Sequence, residues 1–152
     1  MDERWEAVRD RIRSELETLG LPEALVISEP PAYGPVPRTV WWQFWRSSKP
    51  EQLPGVFVQF GQFWAEDLMC EFVGSTVIGG SYPMSAQQHE QLRQLGWLTP
   101  EDPQYREAIG KGVPNYAMRP HPVEVERVSA IAAESLSLFV ADPTVLAYER
   151  VS

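Results

Sequence analysis

The sequence predicts an α+β fold: an antiparallel sheet of about four or five strands flanked by an N-terminal, a central and a C-terminal helix. Three observations carry that expectation. Two apolar runs, Val56–Trp64 and Leu68–Val73, stand either side of the acidic connection Ala65-Glu66-Asp67, the pattern of an antiparallel hairpin. Two stretches, residues 3–19 and 122–140, repeat apolar side chains at spacings of three and four, the period of an amphipathic helix. Between them Ser85-Ala86-Gln87-Gln88 has the form of a capping box for a helix over residues 85–95. Gly96 stands where that helix needs a left-handed end.

The first helix presents Trp5, Val8, Ile12, Leu16 and Leu19 as one stripe and stops at Gly20 and Pro22. Ala24–Ser28 is a short apolar strand, buried on both faces. Glu29–Pro37 then carries four prolines in nine residues, which excludes a sheet ladder and reads as loop or polyproline backbone. In the strand-like run Thr39–Trp45, Trp41, Gln43 and Trp45 fall on one face while Val40, Trp42 and Phe44 fall on the other. A domain with one core leaves one of those faces to be covered by a helix, by a partner or by a second copy.

After the hairpin, Trp97 follows Gly96 and is expected to fold back onto the sheet. Thr76–Tyr82 reads as a further strand kinked at Gly79-Gly80; with no lysine behind them, these glycines are not a phosphate loop. Residues 98–119 read as proline-broken irregular chain with one helical turn beginning at Thr99-Pro100-Glu101-Asp102. His121-Pro122 opens the last helix, with Glu124 and Glu126 in its first turn, and Asp142-Pro143 stops it. Val145–Tyr148 adds a closing strand or turn.

At 152 residues the chain suits a single domain, 1–152, able to bury a core without staples. Its net charge is −8 and no segment is basic, so nucleic-acid binding is not expected, and anionic lipid is an unfavourable surface. No run approaches the roughly 20 apolar residues of a membrane span. The charged start Met1-Asp2-Glu3-Arg4-Trp5 lacks a signal core, and a cytoplasmic location is expected. The one cysteine, Cys70, lies mid-strand and reads as a small buried hydrophobe.

No catalytic, cofactor-binding or metal-binding residue is assigned. His89 and His121 have no Cys, Asp or His at ligand spacing. Glu66 and Asp67 fall at a turn, where acids are solvated, and Glu71 follows in the strand. No Gly-x-Ser-x-Gly elbow occurs.

One series of pieces is distinctive in its order: Val58-Gln59-Phe60, Leu68–Ser75, Met84–Gln88, Leu92-x-x-Leu95-Gly96-Trp97-x-x-Pro100 and Pro114-Asn115-Tyr116. That series resembles the actinobacterial TY-Chap domains, relatives of type III secretion chaperones and of YbjN proteins. The likeness runs over roughly residues 54–148, and residues 21–53 carry none of it. The resemblance implies a type III secretion chaperone-like α+β domain, a peptide-binding chaperone or adaptor with no chemistry attached and a protein or peptide as client. Two other readings stay open: a structural subunit of a larger assembly, and a small-molecule hydrolase. The partner-binding residues expected from the aromatic surplus are Trp41, Trp42, Phe44 and Trp45, with a homodimer as the other use of that strand.

Overall fold

Asp2 begins the first helix, α1 (Glu3–Glu17), by accepting the Arg4 and Trp5 N–H groups at 3.0 and 3.2 Å. Trp5, Val8, Ile12 and Leu16 form its buried stripe, as their spacing requires. The computed structural model describes residues 2–20, 22–29, 55–64, 67–80, 82–109, 115–120 and 122–151. The run Trp41, Trp42, Phe44 and Trp45 lies outside the described residues, as do Glu66 and His121.

Five strands make one sheet among the described residues: β1 (Ala24–Ser28), β2 (Phe57–Trp64), β3 (Asp67–Phe72), β4 (Tyr116–Met118) and β5 (Ala147–Val151). The order is β4-β3-β2-β1-β5 and every neighbouring pair is antiparallel. The expected hairpin is therefore β2–β3, with Val58 opposite Phe72 and Phe60 opposite Cys70. Register and the period of two put Leu25, Ile27, Val58, Phe60, Cys70, Phe72, Tyr116 and Met118 on one face, all in the core. Cys70 is fully enclosed there.

Helices α2 (Ala86–Leu95), α3 (Pro103–Ile109) and α4 (Val125–Ser137) complete the described architecture. α1 and α4 pack against each other and share the core with the sheet. Small residues of α4, Ser129, Ala132 and Ala133, are buried at that contact level, and Leu136 is fully enclosed. The buried Ser129 hydroxyl satisfies itself by donating to the Val125 carbonyl at 2.7 Å. No described helix is long and apolar enough to cross a membrane.

Three expectations are corrected. Thr76–Tyr82 is not a strand: Thr76–Ile78 is a single 3₁₀ turn, with the Ser75 hydroxyl accepting the Val77 N–H at 3.2 Å. The Thr76 and Tyr82 N–H groups bond to the Tyr82 and Gly74 carbonyls, so this segment closes on itself as a loop. Gly80 is required because a Cβ there would meet the Gly74 carbonyl at 2.4 Å. Second, the described residues between 98 and 119 hold two regular elements where irregular chain was expected, α3 and β4. β4 is three residues long, and Leu98 closes its outer edge: the Leu98 N–H donates to the Ala117 carbonyl at 2.9 Å, and the reverse bond is 3.0 Å. Third, the last helix begins at Val125 rather than at Pro122, with Glu124 as its N-cap, and it ends at Ser137.

Candidate functional site

The capping box forms as read: Ser85 Oγ accepts the Gln88 N–H at 3.1 Å, and the Gln88 side chain accepts the Ser85 N–H at 3.0 Å. α2 then runs to Gly96, whose φ of 112° is open to glycine and strained for other residues. That left-handed residue turns Trp97 under the helix. Trp97 is 2% exposed, its ring centroid lies 5.6 Å from that of Phe72, and its indole N–H donates to Ser135 Oγ at 2.8 Å. One side chain thus joins α2, β3 and α4, as the expected fold-back over the sheet requires.

Beyond Trp97 the chain is fixed twice more. Leu98 is bonded to β4, and the Asp102 carboxylate accepts the Thr99 N–H at 2.8 Å and the Thr99 hydroxyl at 3.2 Å. Arg93 of α2 donates to the same carboxylate at 3.2 Å. After β4, Arg119 forms a two-point ion pair with Asp67, its Nε 2.9 Å from Oδ1. That bond holds Arg119 above the ordinary arginine range. Asp67 is therefore not a solvated turn acid; it is the first residue of β3 and joins that strand to the chain leaving β4.

These pieces enclose a groove of about 660 Å³ between α2, residues 96–104, the end of β4 and the start of α4. Trp97, Met118 and Val128 form its buried floor, and Leu95, Leu98 and Ile131 are half-buried on its walls. Glu90 and Arg93 stand on the α2 rim, Glu124 and Arg127 on the α4 rim. Among the described residues, Arg93 is paired with Asp102 and, at 3.9 Å, with Glu90, whereas Arg127 has no ion-pair partner. The volume is in the range of ordinary ligand pockets, roughly 300–1,000 Å³.

A second polar cluster lies under α2. The Tyr116 hydroxyl is 2.7 Å from His89 Nδ1, 2.9 Å from Ser75 Oγ and 3.3 Å from Met84 Sδ. His89 is thus half-buried and bonded to β4. Ser75 is fully buried and meets Tyr116 rather than an imidazole, so the cluster fastens α2 to β4 and presents no accessible nucleophile. Asn115 adds a tie from the start of β4, accepting the Gly74 N–H at 2.8 Å.

Enclosure shifts two groups of the core. Burial pushes the Cys70 thiol well above its usual range, with a smaller push from Glu71. The Tyr105 hydroxyl is raised to about 12, by burial first and by Glu71 second. Among the described residues no group of three or more His, Cys, Asp or Glu is placed to hold a metal ion.

The arrangement defines a class: an α+β domain whose helices frame a groove with an apolar floor and a polar, charged rim. The model of the TY-Chap3 family, described as T3SS (YopN, CesT) and YbjN peptide-binding chaperone 3, matches residues 1–152, the span 21–53 included. The chain belongs to that family. Neither a curated protein nor a solved structure matches it. Two of the motif pieces that carried the resemblance contribute to the groove and its supports. Gly96 and Trp97 set the floor, and Asn115 and Tyr116 pin β4 beside it.

Proposed function

We propose that the protein is a non-enzymatic chaperone or adaptor that binds an extended peptide or protein segment in the cytoplasm. The family match over the whole chain carries this reading, and the groove framed by α2 and α4 supports it. Two of the charged groups that line the groove, Arg93 and Arg119, are held in ion pairs with Asp102 and Asp67 that tie its walls to the rest of the fold. The test is reversible capture of a reduced, unfolded model protein by the purified chain, followed by calorimetry or anisotropy. Saturable binding of the unfolded form and none of the native form is expected; equal indifference to both defeats the reading.

The aromatic run before β2 is proposed as a second contact surface. The sequence pattern carries it: on a strand, Trp41, Trp42, Phe44 and Trp45 would fall on both faces, with Pro35 and Pro37 before them and Pro50 and Pro54 after. A client segment, or a second copy of the chain, adds there by backbone pairing, and the acidic protein favours Lys or Arg flanking the client's apolar residues. Trp42→Ser and Trp45→Ser, each in the full chain, test it. One of the two should abolish capture or dimer formation with the melting midpoint unchanged, and full retention by both variants rejects the surface.

A further inference from the structure

The α4 rim of the groove carries a charge in an unfavourable place. Arg127 is in the first turn of α4, where the helix dipole opposes a cation, and among the described residues it has no ion-pair partner. The other two groove cations are committed, Arg93 to Asp102 and Arg119 to Asp67. Glu124, one turn earlier, is the N-cap of the same helix and is favoured by the field that disfavours Arg127. Below Arg127, Ile131 continues the same stripe, with Leu95 and Leu98 facing it across the groove. Arg127, exposed and without an ion-pair partner among the described residues, thus stands on the rim of a groove whose walls include half-buried aliphatic side chains.

Resting on the peptide-binding reading above, we propose that this groove receives a short extended client segment in which an aliphatic side chain is followed by Asp or Glu. The aliphatic side chain packs on Leu95, Leu98 and Ile131 and removes their remaining apolar surface from water. The neighbouring carboxylate pairs with Arg127, which also meets the dipole of α4 in its favoured sense. The groove's size suits a few extended residues rather than a folded element. At this groove, unlike at the aromatic run, an apolar residue followed by a base binds less well, because its cation would stand against Arg127.

Three labelled synthetic peptides in a common Gly/Ser background, with Leu-Glu, Leu-Lys or Ser-Glu at the centre, test this by anisotropy with the full chain. The Leu-Glu peptide should bind about three- to tenfold more tightly than Leu-Lys, and Ser-Glu should bind more weakly than Leu-Glu. The exposed Arg127→Glu substitution should reverse the first order, Leu-Lys becoming the tighter. An unchanged order in Arg127→Glu overturns the proposal, as does a Ser-Glu affinity equal to that of Leu-Glu. If none of the three binds while an unfolded model protein does, the groove chemistry is wrong and the chaperone reading stands. If nothing binds, both fall.

Discussion

The two faces of α4 put the same helix to different uses. Toward α1 and the sheet it presents Ser129, Ala132, Ala133 and Leu136, buried and free of charge, so two helices and a sheet close over them. Toward the groove it presents Glu124, Arg127 and Ile131, exposed or half-buried, over the single buried Val128. The first face is finished by the fold. The second stops one layer short, with apolar wall and charged rim both in place. A stability assay and a binding assay should therefore respond to opposite faces of one thirteen-residue helix.

Trp97→Ala is the strongest way to break that distinction, because Trp97 lies beneath both faces. It should cost about 3–5 kcal/mol in denaturant unfolding and remove the groove floor with the core. Leu136→Ala should cost about 2–5 kcal/mol, since the fully buried side chain leaves a cavity among α1 and the sheet. It should leave peptide affinity unchanged under conditions where the variant is folded.

Little of the groove could be read in advance, and the reason is physical. α1, β1, the β2–β3 hairpin and α2 are written in local periodicity and caps, and they stand within a residue or two of where the pattern puts them. β4 has no such signal: Tyr116–Met118 is too short for a period, and it is a strand because Cys70, Glu71 and Phe72 lie beside it. The apparent strand at 76–82 shows the reverse error. Val77 and Ile78 have strand propensity, but the Ser75 cap and the approach of Gly80 to Gly74 decide the backbone. Asp67 was misread because its partner, Arg119, is 52 residues away. Val128 and Ile131 were visible as apolar positions; that they belong to different depths of a groove depends on Trp97 being turned under α2 by Gly96.

Smaller perturbations sharpen the contrast. Ser85→Ala should cost about 1 kcal/mol by opening the capping box of α2, and should loosen the α2 wall enough to weaken peptide binding with it. Arg127→Ala should change stability by no more than about 0.5 kcal/mol, while binding of an acidic peptide falls. The smallest effect is at the start of α1. The Trp5 N–H bond holds the Asp2 carboxyl below its ordinary value of 3.8, so the stability that this carboxylate supplies is present above that pH. It is lost as pH falls through the lower folded value. Asp2→Asn keeps a cap and should show a shallower drop in melting temperature below about pH 4 than the parent.

The enclosure of Cys70 turns the chain into a reporter of its own opening. It is the only thiol in the sequence, at a central position of β3, between Phe60 on β2 and Met118 on β4. A thiol reagent can reach it only after those three strands separate, so its labelling rate at low reagent measures the free energy of parting the sheet. A client held in the groove, whose floor includes Met118 of β4, should slow that rate in proportion to its occupancy. Binding to a surface that leaves the sheet untouched would be silent, and the two modes of capture would then be separated by a single kinetic trace.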